Sequence, residues 1–448
     1  MLSPAEAQER CEALIERARR AGADAGDAIY VANASESVQV RLGSLEDVER
    51  SESEHIGLRV FANGASASIG SSDLGDEALD ELASRAVAMA RLAPADKFAG
   101  LAPEEMLLRG DALELDLDDL TERSPMDLRR LAEEAEDAAR SVAGVTNSEG
   151  AGASAGRGLF ALATSHGFSG GYAASSHSIS ASVVAGEGST MQRDYSWRST
   201  RHAADLKSPA EIGREAGERA VSRLNPGRVK SGQMPVVFDS RVGNSLIGHL
   251  IGAMSGASIA RRASFLLDRD EQQLFDSAIT IADNPHVLRG MRSRPFDGEG
   301  LPTGARNLVE GGRITGWLMD AAAARQLDSQ PTGHASRGSS GPPHVTASNV
   351  VLSAGTLSPA ELMADIADGV YVTELIGHGV NGVTGDYSRG ASGFRIVNGE
   401  LAGSIAEFTV AGNLIDMFAA LTAANDLEIY RGIDVPTLRV DGMSIAGD

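Results

Sequence analysis

A single cysteine, Cys11, stands in a chain of 448 residues. That excludes an intramolecular disulfide and any zinc or iron–sulfur framework built on several cysteines. Cys11 lies in a stretch of helical apolar period, where a lone thiol is a small core residue. Aromatic residues are scarce, at 4%, so the core has to be assembled from Ala, Val, Ile and Leu. Positive charge is short as well: 40 Lys and Arg face 62 Asp and Glu, a formal charge of -22, and a surface of that sign opposes a phosphate backbone. Direct binding of nucleic acid is therefore not expected. No run approaches the ~18 apolar residues of a membrane span, and Met1-Leu2-Ser3-Pro4-Ala5-Glu6 lacks a basic segment leading into an apolar one. The expected setting is cytoplasmic and soluble, with no membrane partner.

What is present reads as folded protein. A hydrophobic content of 42% is that of a globular chain, and the length exceeds one ordinary core. The reading is α+β in three parts: an N-terminal α+β domain over 1–112, a middle α+β domain over 113–228, and a mostly β C-terminal domain over 229–448. Ser3-Pro4, Ser124-Pro125, Ser208-Pro209 and Ser358-Pro359 each pair an N-cap serine with proline at the first helical position, where the missing N–H costs nothing. A further helix, about Glu77 to Leu92, puts Leu79, Leu82, Ala86 and Ala90 on one face. Val38–Leu42 and Ile56–Phe61 alternate as antiparallel strands, and Gly158 to Ala185 is strand-like. The order helix, strands, helix thus occurs twice, a weak internal repeat. The acidic stretch from Leu101 to Arg140 reads as solvated linker and helix face.

Two motif families are weak. Gly377-His378-Gly379-Val380-Asn381-Gly382 has the letters of a dinucleotide fingerprint, but the glycine-rich Val383 to Gly390 that follows cannot be the helix such a site needs. Gly152 to Gly156 and Gly167 to Gly171 match a nucleophile elbow around Ser154 and Ser169, again with no helix after either. The nine histidines show no helical metal-ligand spacing.

Several blocks together resemble the TldD/PmbA family in its PmbA (TldE) branch. They are Gly57-Leu58-Arg59-Val60-Phe61, Asn147-Ser148-Glu149-Gly150, Thr164 to Gly170, Pro295-Phe296-Asp297-Gly298-Glu299-Gly300, Gly385-Asp386-Tyr387-Ser388-Arg389-Gly390-Ala391-Ser392-Gly393-Phe394, Asn398-Gly399-Glu400 and Ala411-Gly412-Asn413-Leu414. The resemblance implies a cytoplasmic, two-chain metallopeptidase for proteolysis and peptide maturation. In it a TldD-like catalytic subunit holds zinc on a His-Glu-x-x-x-His helix, with a cysteine near the C-terminus as a further ligand. Carried over onto this chain, Asn244 stands at the first histidine and Ser245 at the general base, and only His249 remains. Asparagine is a poor zinc ligand, and serine at its ordinary pKa cannot take the proton. The cysteine segment would fall at Ala424 to Gly432, which holds none.

The resemblance therefore implies a chain without catalytic residues or cofactor of its own, paired as a heterodimer with a zinc-bearing TldD-like partner and acting on extended peptides. Gly377, His378, Asn381, Gly385, Asp386, Ser388 and Arg389 are the candidates for a peptide channel or subunit interface, with Asp386 and Arg389 able to hold a peptide terminus or each other. The alternative is a homodimeric modulator of another protein, for example DNA gyrase, with no proteolytic role.

Overall fold

The computed structural model describes residues 1–448, the side chain of Ser189 excepted. Helices begin where the sequence caps them. The side chains of Ser3, Ser124 and Ser208 each accept the N–H of the third helical residue, and Glu6, Asp127 and Glu211 accept from the cap N–H in return. Each capping box satisfies two otherwise orphaned donors. The helices so started are α1 (Pro4–Arg20), α3 (Pro125–Arg140) and α4 (Pro209–Ser222); α2 (Asp76–Leu92) has no side-chain cap and places Asp76 and Glu77 in its first turn. Ser358 forms the same box but opens only the short Pro359–Met363.

Six strands build one antiparallel sheet: β1 (Ala25–Arg41), β2 (Ser44–Ala62), β3 (Ala65–Ser71), β4 (Val145–Thr164), β5 (Ser169–Ala185) and β6 (Gln192–Thr200), in the order β3-β2-β1-β4-β5-β6. Leu42 and Gly43 both take positive φ, 52° and 74°, as a two-residue hairpin turn between strands of right-handed twist requires. The chain order α1-β1-β2-β3-α2 is repeated as α3-β4-β5-β6-α4. The two units meet at the β1–β4 ladder, so the sheet runs unbroken from one to the other. On β1, Ala28, Tyr30 and Ala32 pack under α1 and α2, while Val38 and Val40 pack under α3 and α4. Even-numbered positions share one face of a strand, so all four helices cover the same side.

The acidic stretch departs from the expected solvated linker. Ala102, Leu107, Leu115 and Leu117 are buried, and the Leu117 carbonyl accepts the Ser175 N–H at 2.9 Å. Leucines at alternate positions turn inward while Glu114 and Asp116 face water, so the segment straps the sheet.

The remainder is β-rich. β7 (Gly232–Phe238) leads into α5 (Ser240–Ala253); then follow β8 (Ile281–Asp283), β9 (Arg306–Glu310), β10 (Arg313–Ile314), β11 (Ala335–Ser336), β12 (His344–Val345), β13 (Val350–Leu352), β14 (Asp368–Ile376), β15 (Asp386–Val397), β16 (Glu400–Asn413), β17 (Leu421–Ala423), β18 (Ile433–Asp434) and β19 (Leu438–Ala446). The sheet β16-β15-β14-β7-β19-β17 closes on itself, because β16 also pairs with β19. Closure makes a small barrel that leaves few bare edges. A second sheet, β10-β9-β8-β13-β18, shares its core through Leu246, Leu250, Leu308 and Val350.

Candidate functional site

Helix α5 carries the positions singled out from the sequence. Asp239 caps it by accepting the Arg241 N–H at 2.8 Å, and the helix continues to Ala253 without a break. Leu246, Ile247, Leu250 and Ala253 are its buried apolar side. Ser245 donates its hydroxyl to the Val242 carbonyl at 2.7 Å, turned back onto its own helix. At 100° per residue, Asn244 and His249 point roughly 140° apart, and the unbroken helix does not bring them together.

His249 faces a cleft of about 300 Å³ that it shares with His378, Val380, Gly382 and Arg389 on one wall and Gly248, Gly252, Ser258 and Phe265 on the other. Its ring meets Tyr387 edge to face, with centroids 6.3 Å apart and planes at 74°. Nε2 of His249 is buried without a hydrogen-bond partner. Burial pushes the imidazole below its ordinary pKa, and the neighbouring Arg389 and His378 add to the effect, so it is neutral near pH 7. Burial also lifts the Tyr387 phenol to about 12, against the pull of Arg389.

The segment 377–389 is tightly self-bonded. The Ser388 N–H donates to the Gly379 carbonyl at 2.7 Å, and the Asn381 N–H to the Asp386 carbonyl at 2.8 Å. Gly379 is needed there, since a Cβ would stand 2.1 Å from the Ser388 carbonyl oxygen. Gly377 and Gly385 sit at φ of 80° and 81°, where glycine alone is unstrained. No helix follows the glycines; β15 does. Strand alternation then divides the candidates. Tyr387 turns into the core beside His249 and Arg389 lines the cleft, whereas Asp386 and Ser388 are exposed on the other side. Asp386 accepts from the Thr384 hydroxyl at 2.6 Å and from Asn413 at 3.3 Å, and Arg389 donates to the Leu375 carbonyl at 3.3 Å. The two do not hold each other.

Of the sequence candidates, His249, His378 and Arg389 therefore converge, and Asn244, Ser245, Asn381, Asp386 and Ser388 do not line the cleft. Tyr387, Gly248 and Gly252 were not singled out as site residues. The two-residue period of β15 and the i, i+4 glycine pair beside His249 are the signals that point to them. Ala424 to Gly432 lies elsewhere, against β6: Tyr430 stacks under the Arg198 guanidinium at 3.6 Å and meets Trp197 edge to face. Ser154 is in the middle of β4 and Ser169 begins β5, so neither stands on a nucleophile elbow.

Comparison with known proteins covers nearly the whole chain. The PmbA/TldA metallopeptidase description matches in three parts, domain 1 at residues 26–90, the central domain at 113–224 and the C-terminal domain at 231–447. Metalloprotease PmbA of Escherichia coli O157:H7 is 37% identical over 92% of this chain and 90% of its own length. A PmbA homologue of Haemophilus influenzae is 34% identical over 97% and 94%. A crystal structure from Bacteroides thetaiotaomicron, provisionally named a modulator of DNA gyrase, superposes with a TM-score of 0.90 at 25% identity over 99% of each chain. TldE from Thermococcus kodakarensis has the same fold, with a TM-score of 0.87 at 21% identity, covering 97% of this chain and 99% of that one.

Metallopeptidase relatives imply a metal. The cleft offers two imidazoles, His249 and His378, with no thiolate or carboxylate on its walls, and among the described residues no three His, Cys, Asp or Glu side chains converge as a metal site. Catalytic zinc takes three protein ligands. The residues present do not fit one.

Proposed function

Because this chain belongs to the PmbA/TldD metallopeptidase family, we propose that it is the PmbA/TldE-type subunit of a two-chain peptidase whose zinc is held by a TldD-like partner. The observation that carries this reading is the donor set of α5: His249 is the one side chain of the motif positions that lines the cleft, Asn244 points away from it, and Ser245 is bonded to its own helix. A zinc-bound water needs three protein ligands on its metal and a base that can take its proton, and this helix supplies one imidazole and no base. The chain's part is then to complete the partner and bind an extended peptide along it, through backbone hydrogen bonds that tolerate many sequences.

The test is to purify this chain, a homologue that carries His-Glu-x-x-x-His, and the two co-expressed, and to measure co-elution, zinc content and peptide hydrolysis. Co-elution with zinc and cleavage only when the homologue is present is the expected result. Stoichiometric zinc and cleavage by this chain alone would overturn the proposal. The name borne by the Bacteroides relative supports a second reading, a homodimeric modulator of gyrase. That reading requires a change in DNA supercoiling by purified gyrase when this chain is added without the homologue.

A further inference from the structure

The α5 cleft has a chemistry of its own once metal binding is set aside. In a chain with 62 acidic residues, no Asp or Glu lines it. Its only formal charge is Arg389, whose one hydrogen bond to protein goes to the uncharged Leu375 carbonyl and whose Nε is buried without a partner. His249 lines the same space with its ring held by the edge of Tyr387; its Nε2 is buried without a partner, and Nδ1, which no group of the chain bonds, is the nitrogen left to the cleft. A guanidinium carries five N–H donors, and with one carbonyl as its partner and no carboxylate beside it Arg389 has donors left for whatever occupies the cleft. That occupant brings acceptors, and a negative charge to match the guanidinium.

The wall opposite Arg389 adds a shape. Gly248 and Gly252 are one helical turn apart on α5, and a Cβ at either would meet nothing within 4 Å; the same holds for Gly382 across the cleft. Glycine inside a helix is unfavourable relative to alanine, and no packing within the chain requires it at these two positions. Their effect is a bare strip of helix against which an extended backbone can lie.

We propose that this cleft binds a carboxylate carried on a peptide, with the Arg389 guanidinium forking the two oxygens and His249 donating Nδ1–H. An arginine fork suits a planar carboxylate, which accepts two parallel N–H bonds. The acceptor is either the C-terminal carboxylate of the peptide or a side-chain carboxylate within it. The peptide as occupant rests on the function proposed above; the preference for a carboxylate rests on the cleft alone.

The experiment uses the full chain by itself and isothermal titration calorimetry with one acetylated six-residue peptide of Gly, Ala and Ser in three forms: free C-terminal acid, C-terminal amide, and amide with a central Glu. A hydrogen-bonded charge of this kind is worth roughly 10- to 100-fold in affinity, so the acid is expected to bind at least ~10-fold more tightly than the plain amide. The Glu-containing amide distinguishes the two sources: tight binding assigns a side-chain carboxylate, and weak binding assigns the terminus. Arg389→Gln is expected to erase the preference, Arg389→Lys to keep part of it, and His249→Gln to reduce it by a smaller factor, with thermal melting of each variant showing that it is folded. Equal binding of all three forms, absence of binding, or a preference unchanged in a folded Arg389→Gln variant would each overturn the proposal. Co-elution of the same variants with the zinc-bearing homologue keeps the two ideas separate. Loss of pairing in the wild-type chain sinks the function proposed above, while pairing without a carboxylate preference sinks only this site.

Discussion

Arg337 and Asp27, 310 positions apart in the chain, form a fully buried ion pair that ties the C-terminal region to the first strand of the N-terminal sheet. Asp27 takes a second guanidinium from Arg59, whose Nε donates at 2.9 Å. The loop beyond Arg337 is seated beside it, because a Cβ at Gly57 or Gly70 would stand 2.1 or 2.6 Å from the Ser339 carbonyl oxygen. Removing one member of a buried pair strands the other charge and costs about 3–5 kcal/mol. Asp27→Asn is therefore expected to lower the stability of the whole chain by that order, read as a drop in the denaturant midpoint at unchanged slope. A shift of under ~1 kcal/mol, the size of an exposed ion pair, would mean that the junction does not depend on this contact.

Glu299 lies in the same junction and gives it a pH dependence. Burial lifts its carboxyl to about 7, with Asp297 and Asp320 pushing the same way, while Arg59 and the Ala321 N–H oppose them. A carboxyl raised above its ordinary value of 4.5 holds its proton in the folded state after the unfolded chain has lost it. Between about pH 4.5 and 7 the folded state thus binds more protons, and stability falls as pH rises. The effect is on the order of 3 kcal/mol across that window. Glu299→Gln keeps an acceptor for the Ala321 N–H and cannot ionise. The difference in unfolding free energy between the Glu299→Gln variant and the wild-type chain should grow in favour of the variant from pH 5 to pH 8. Taking the difference removes the opposing contribution of His177, His249 and His286, all held below the ordinary imidazole value chiefly by burial. A flat difference would place Glu299 in an ionised state throughout.

Cys11 supplies a probe of the α1–sheet contact. The side chain is fully buried, its thiol faces the Ala161 carbonyl at 3.9 Å, and burial pushes its pKa above the ordinary thiol range. Thiolate is the reactive form, so the native chain should resist an aromatic disulfide reagent at pH 8 and react fully in denaturant. Labelling in native buffer should proceed only as fast as α1 opens from the sheet. Rapid stoichiometric labelling of the folded chain would contradict this packing.

The sequence announced the elements that are specified locally and was silent on those that depend on distant partners. Ser-Pro caps and apolar faces three and four apart are read within one turn, and α1, α3 and α4 start where those caps stand. The doubled helix-strands-helix order was legible because each unit carries its own caps. The full length of β1 and β2 was not: from Ser44 to Ser53 β2 is exposed or half-exposed, with Leu45 and Val48 as its two apolar residues, so no apolar alternation marks it, and pairing with β1 alone keeps it extended. The barrel closes through Val410 and Ile445, 35 positions apart by number and joined only in the fold. In the cleft, treating 377–389 as one loop hid the strand that begins at Asp386 and sends Asp386 and Arg389 to opposite sides.

Glycines on two helices, α4 and α5, make opposite predictions from the same substitution. Where α3 and α4 touch, a Cβ at Gly213 would stand 2.0 Å from the Ala135 carbonyl oxygen and 2.9 Å from the Ala139 nitrogen. Overpacking of this kind costs about 1–3 kcal/mol, and against rigid helix backbone the upper end applies, outweighing the ~1 kcal/mol that alanine gains in helix propensity. Gly213→Ala should therefore destabilise the chain. Gly248 and Gly252 on α5 have open space at the same point, so alanine there meets no clash and should stabilise by roughly 0.5–1 kcal/mol at each position. Denaturant midpoints of the three single variants give the sign directly. If Gly248→Ala or Gly252→Ala lowered the midpoint, the cleft beside His249 would be closed in solution. If both raise it, α5 gives up stability in the free chain to keep that surface bare, and the reason has to be sought in what lies against it.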